Sequence, residues 1–203
     1  MRQPLGLGRT LMIDIRHWVE TTAFHEAGHA MAAAHYGIPF SKVWILKRTN
    51  FEIRCGEILG QLIRINAIDK PSFFGRVEDA KAEAVLSFCG PLAECRPYPP
   101  GCLHPDFGSA NLNDWLDARS ILRFATTPCS KEGLEPFKED DLQQTKSLVD
   151  ELLNECGSEA MRLVSKNLPA IERIARGLLS HWELMPSEVQ WLCGLDGSPR
   201  CVF

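Results

Sequence analysis

Residues 18–37 read WVETTAFHEAGHAMAAAHYG, and the rest of the chain is best understood outward from them. No proline interrupts the run from Trp18 to Tyr36, while Gly37 supplies a helix stop and Pro39 lies just beyond it. Ala23, Ala27, Ala30 and Ala34 recur at three- and four-residue spacing. Positions so spaced share one face, so the run predicts a helix with a smooth stripe that another element can approach closely. His25 and His29 stand one turn apart on that helix, and Glu26 follows the first of them.

The order His-Glu-x-x-His carries chemistry. Two imidazoles at i and i+4 project from the same face and can bind one metal ion. Zinc suits neutral imidazole nitrogens, and a catalytic zinc takes three protein ligands and leaves a position for water. Glu26 lies beside that face, where it can take a proton from the zinc-bound water and return it to the leaving amine of a cleaved peptide. The spacing therefore points to a zinc metallopeptidase with Glu26 as general base. The third ligand must come from elsewhere. His35, at about 100° per residue, is rotated far from the His25/His29 face and reads as a surface or capping histidine. Spacing alone leaves His104, Asp79, Glu83, Glu94, Asp106, Asp114 and Asp117 open.

Beyond the first helix, residues 42–47 are rich in β-branched and aromatic side chains and read as a strand. Residues 52–65 read as one or two more strands, with Gly56 and Gly60 as bulge or turn points. Residues 77–95 are helical in pattern, with a kink or break expected near Gly90 because Pro91 follows. Residues 96–113 and 126–138 read as loops. A shorter helix spans 114–124, capped by Asn111 or Asn113. Further helices cover about 140–155 and 158–180, the latter interrupted near Pro169, and a last one covers 187–193, capped by Ser187 behind Pro186. The expectation is a mainly α protein with a small β-sheet (α+β). It forms a single domain over 1–203, with a core of about 17–193 and peripheral ends.

Composition sets the bounds. With 203 residues, 45% hydrophobic and 24% charged, the chain is neither disordered nor fibrous. A net charge of −4 gives no electrostatic footprint for nucleic acid. No apolar stretch reaches the length of a membrane span, and residues 1–10 lack the apolar core of a signal peptide. A cytoplasmic location is expected. The eight cysteines include no C-x-x-C pair, which predicts free thiols in a reducing compartment.

The segment His25-Glu26-Ala27-Gly28-His29-Ala30 resembles the peptidase domain of the FtsH family of membrane-bound, ATP-dependent zinc metalloproteases. The likeness extends to Lys42-Val43-Trp44-Ile45 and Gly56-Glu57-Ile58-Leu59, similar to that family's strand pair, and to Gly90-Pro91-Leu92-Ala93-Glu94, similar to its Gly-x-x-Ala-Glu segment. Asn113-Asp114 with Ala118-Arg119 resembles its Asn-Asp helix, and the resemblance covers roughly residues 20–193. It implies His25, His29 and Asp114 as zinc ligands, Glu26 as the general base, and Glu94 as a carboxylate orienting a ligating histidine. Asp117 substitutes for Asp114 if the register is off by a turn. It also implies an extended peptide along an edge strand within residues 52–65, and a homo-oligomeric ring or a separate unfoldase partner.

The chain departs from the family in lacking a G-x-x-x-x-G-K-[ST] phosphate loop and in having Cys95 after Glu94, where a second glutamate is usual. The expected activity is thus endoproteolysis of unfolded or flexible polypeptides without an ATPase of its own. The alternative is a non-catalytic peptide- or partner-binding module that keeps the metal.

Overall fold

The computed structural model describes residues 15–46, 60–64, 76–94, 110–127 and 139–195. In chain order these form α1 (Ile15–Tyr36), β1 (Phe40–Ile45), β2 (Gly60–Arg64), α2 (Val77–Glu94), α3 (Ala110–Thr126), α4 (Glu139–Lys166), α5 (Leu168–His181), β3 (Glu183–Leu184) and α6 (Pro186–Cys193). The protein is mainly helical with a small antiparallel sheet, ordered β2-β1-β3, so that among the described residues β2 lies at an edge. Among the described residues no helix is long and apolar enough to cross a membrane.

Helix α1 is the centre of the packing. It lies against α2 and α5 and touches the sheet. The predicted alanine stripe explains how: Ala23, Ala27 and Ala30 expose nothing, and neither do Ala32 and Ala33. At Gly28 the approach of α2 is so close that a Cβ would fall 2.3 Å from the Cys89 carbonyl oxygen and 2.8 Å from the Ala93 Cβ. Even alanine is too large there. The helix stops where the sequence places its stop. Gly37 takes φ +65°, the Ile38 N–H donates to the Ala33 carbonyl at 2.9 Å, and Gly37 N–H to Ala34 at 3.4 Å.

Several expectations are corrected. Helix α2 runs unbroken through Pro91 to Glu94, with no break at Gly90. Proline withholds one N–H, but Gly90 lacks the Cβ that would collide with the proline ring, so the helical conformation persists. Helix α3 starts at Ala110, so Asn111 and Asn113 lie inside it rather than before it, and Asp114 sits past its first turn. Helix α4 passes through Gly157 without interruption, in place of the expected break between 155 and 158. The interruption expected near Pro169 is present: it falls at Asn167, and Pro169 occupies the first turn of α5, where a missing N–H costs nothing. Ser187 lies within α6; the end is closed instead by the Met185 N–H donating to Glu188 Oε2 at 2.6 Å. Strand β1 begins two residues earlier than predicted, and its irregularity falls between Phe40 and Lys42 rather than at Gly60.

Strand β3 is an element that the sequence pattern does not announce. Trp182 ends α5 in the left-handed region, at φ +70°, with its N–H on the Leu178 carbonyl at 2.7 Å. That turn aims its own carbonyl at the Ile45 N–H, 2.8 Å away, and sets Glu183 and Leu184 beside Trp44 and Val43. The readings for Gly56, for the loop at 96–109 and for the loop at 128–138 lie outside the described residues.

Candidate metal centre

Three side chains from distant parts of the chain converge at the α1–α2–α3 junction. His25 and His29 come from α1, and Asp114 comes from α3. The two Nε2 atoms are 3.0 Å apart. Asp114 Oδ2 lies 3.2 Å from His25 Nε2, and its Oδ1 lies 3.7 Å from His29 Nε2. Four-coordinate zinc, with bonds of about 2.0–2.1 Å, sets its ligand atoms about 3.3 Å apart. The three observed separations straddle that value. The group can hold a metal ion, with its three ligand atoms all within 4.8 Å of one another.

The outer nitrogens of both rings are committed elsewhere, which decides what the inner ones can do. His29 Nδ1 donates to the Leu86 carbonyl at 2.9 Å. A carbonyl only accepts, so the proton of a neutral His29 resides on Nδ1 and its Nε2 carries the lone pair. His25 Nδ1 donates to Glu94 Oε2 at 3.0 Å. When both rings are neutral, these outer bonds leave the Nε2 lone pairs facing Asp114, the tautomers that metal ligation requires. Gly90 makes room for this: a Cβ there would stand 2.3 Å from His29 Nε2 and 2.5 Å from its Cε1.

Without a metal, one proton takes the place of the ion. Burial works against a charged His25, but hydrogen bonds to Asp114 and Glu94, and the charges of Glu26 and Asp114, outweigh it and push its pKa up to about 10. Burial, together with the positive charge of His25, holds His29 down at about 4. The pair therefore shares a single proton, located on His25.

Glu26 is the third notable group. It is buried, at 6% exposure, and its Oε2 is the buried side-chain oxygen left without a hydrogen-bond partner among the described residues. Its carboxylate accepts the Leu62 N–H of β2. Burial raises its pKa to about 7, against the opposing pull of His25. An orphaned carboxylate oxygen close to three converging ligand atoms, two of them imidazole nitrogens that become neutral once the His25 proton leaves, fits a divalent cation with an associated water.

The other sequence candidates are elsewhere. Asp117 is exposed and does not join the group. Asp79 pairs with Arg76 at 2.6 Å on the surface, and Glu83 is buried within α2. His35 is exposed at the end of α1, its ring edge-on to Tyr36. His104, Asp106 and Cys95 lie outside the described residues. Cys89, Cys156 and Cys193 are free thiols whose burial pushes them up to between about 11 and about 12, so they stay protonated and unreactive. Sequence reasoning did not find the Leu86 carbonyl, which no side-chain motif reports. Nor did it find the roles of Gly60 and Gly90 beside Glu26 and His29, although a glycine before a proline inside a helical pattern was a usable signal.

A helix-borne His-Glu-x-x-His pair completed by a carboxylate from a later helix, beside a small edge sheet, is the arrangement to compare with known proteins. The chain is 26% identical over 201 aligned residues to the mitochondrial inner membrane i-AAA protease supercomplex subunit YME1 of Saccharomyces cerevisiae. The match covers 93% of this chain and 25% of the yeast protein, so the chain spans about a quarter of that relative's length. No family model matches the chain. The similarity is distant and supports a protease-related origin.

Proposed function

We propose that this chain is a zinc-dependent metalloendopeptidase of the FtsH peptidase type, acting on unfolded or flexible polypeptide. The observation that carries the reading is the convergence of His25, His29 and Asp114 beside the buried, partnerless Glu26 Oε2. The distant similarity to a protease subunit supports it independently.

In this reading His25, His29 and Asp114 hold the zinc, Glu94 and the Leu86 carbonyl fix the two imidazoles, and Asp114 contributes the balancing charge. Zinc, when bound, supplies Lewis acidity that lowers the pKa of a water and polarises a carbonyl. Glu26 receives a proton at its free oxygen and hands it to the leaving amine, a task for which a carboxyl poised near neutrality is suited. Substrate adds as an extended strand to the outer edge of β2 in the described sheet, through main-chain hydrogen bonds that give loose sequence preference. Unfolded segments reach the site through an unfoldase activity, or within a homo-oligomeric ring of this chain.

The test is cleavage of an unfolded protein such as reduced casein, abolished by chelator and restored by zinc. Glu26→Gln keeps stoichiometric zinc and loses turnover by a factor of about 10² or more. Undiminished cleavage in that variant removes Glu26 from the chemistry. Tight peptide binding with zinc present, but no turnover in the native chain, replaces the hydrolase by a peptide-binding module.

A further inference from the structure

Strand β2 packs against α1 beside the candidate site. At Gly60, the first residue of β2, a Cβ would meet three neighbours: Glu26 Cγ at 2.8 Å, Thr22 Cγ2 at 2.9 Å and the Trp44 carbonyl oxygen at 3.0 Å. These neighbours do not yield equally. The Trp44 carbonyl belongs to β1, which pairs with β2 and is held on its other side by β3. Thr22 is β-branched, and such side chains are stiff at χ1 on a helix. Glu26 has two methylenes and one oxygen without a hydrogen-bond partner, so it is the group that moves. Two residues along the same strand, the Leu62 N–H holds the Glu26 carboxylate. The strand thus touches Glu26 at both ends of its side chain.

We propose that Gly60 is a positioning residue for Glu26: the bare backbone at this place lets the glutamate lie flat against β2, with its carboxylate on the Leu62 N–H and its second oxygen toward the metal ligands. Any side chain at position 60 pushes the Glu26 methylenes away and takes the carboxylate off its mark, while His25, His29 and Asp114, none of which is among the three nearest neighbours of a Gly60 Cβ, stay where they are. The glycine is required here by close approach. Its backbone needs no left-handed conformation, since positive φ among the described glycines occurs only at Gly37 and Gly194. The catalytic consequence rests on the hydrolase reading above; the geometric one does not.

Gly60→Ala tests it in the 203-residue chain. Normal contact is near 3.5 Å, so the Glu26 methylene must retreat by roughly 0.5–1 Å. Misplacements of about 1 Å cost up to about 10²-fold. The expected result is kcat on casein reduced about ten- to hundredfold, with KM and zinc affinity within about twofold of the native chain. Thr22→Ser, added to Gly60→Ala, keeps the hydroxyl and deletes the Cγ2 methyl. It makes room for the new Cβ on the helix side, so it restores part of kcat. A merely structural role for Gly60 lowers stability without this split between kcat and KM. Crystal structures of zinc-loaded native chain and Gly60→Ala supply the second arm. A Glu26 carboxylate displaced by more than about 0.5 Å, with the three ligands superimposed, supports positioning even if the native chain proves inactive and only the hydrolase reading falls. An undisplaced carboxylate, or unchanged kcat in an active chain, overturns the proposal.

Discussion

Replacing Gly90 by alanine puts the convergence of α1 and α2 to a direct test. The added Cβ would stand 2.3 Å from His29 Nε2, 2.5 Å from Cε1 and 2.9 Å from Cδ2. Ordinary contact is near 3.5 Å, so the ring must withdraw by about 1 Å. Metal–ligand distances tolerate about 0.2 Å. Withdrawal also strains the 2.9 Å bond from Nδ1 to the Leu86 carbonyl, which fixes the ring's orientation. Losing only such a supporting bond typically weakens metal affinity about 10–100-fold. Displacing the ligand itself should reach the upper end or beyond, at least about 100-fold, or about 2.8 kcal/mol. The assay is zinc competition against a chromogenic chelator. Because alanine before Pro91 also disfavours the helical conformation, Gly90→Ala is paired with the double variant Gly90→Ala/Pro91→Ala. The double variant regains stability and remains a poor zinc binder. If Gly90→Ala holds zinc within about threefold of the native chain, the close-approach argument is refuted.

Glu94→Gln keeps an acceptor near His25 Nδ1 but removes its charge, and should weaken zinc binding about tenfold without unfolding the chain; an unchanged affinity would show that Glu94 does not tune His25. In the chelator-treated chain, a His25 held at about 10 against 6.5 contributes stability that is fully present below pH 6.5 and is lost as pH rises through 10. Glu26, at about 7 against 4.5, acts in the same sense over 4.5–7, while His29, at about 4 against 6.5, opposes it over 4–6.5. Denaturant titrations should therefore show stability falling from pH 7 to 10, and a flat profile there would contradict the placement of the proton on His25. Gly157 lies inside α4 with nothing within 4 Å of where a Cβ would stand, so Gly157→Ala should stabilise the chain by about 0.5–1 kcal/mol, read as a raised denaturant midpoint.

What could be read in the sequence was what short-range periodicity controls. The alanine spacing of α1 and its glycine stop translate directly into backbone geometry, and the His-Glu-x-x-His spacing follows from the helical repeat. Asp114 is a different matter. Residue types and spacing leave it among seven candidates, and only the likeness of Asn113-Asp114 to a known family singles it out. Its meeting with His25 depends on how α3 packs across α1, a relation between residues about ninety positions apart that no local pattern encodes. The helix ends that differ from expectation share one cause. Asn111, Asn113 and Ser187 have cap-forming side chains, and such residues are also tolerated within a first turn when packing extends the helix past them. Strand β3 has two residues, too few for any alternation, and exists because Trp182 turns back onto β1.

The charge balance of the site explains why so polar a cluster survives at the centre of the packing. Glu26, Glu94 and Asp114 all act electrostatically on His25. Against these carboxylates the metal-free chain sets a single imidazolium, since His29 is held neutral. The imbalance shows in Glu26, whose charged form is disfavoured by burial and by the charges of Asp114 and Glu94. Exchanging one proton on His25 for a divalent cation adds one positive charge at the same place, and a nearby cation favours ionised carboxylates. The same exchange frees the His25 Nε2 lone pair. The arrangement of one buried and two partly buried acids is therefore one that a proton satisfies incompletely and that suits a dication. On this account the cost of burying Glu26 is met through the ligands beside it, and the two glycines that admit His29 and Glu26 to their places are as much a part of the centre as the histidines.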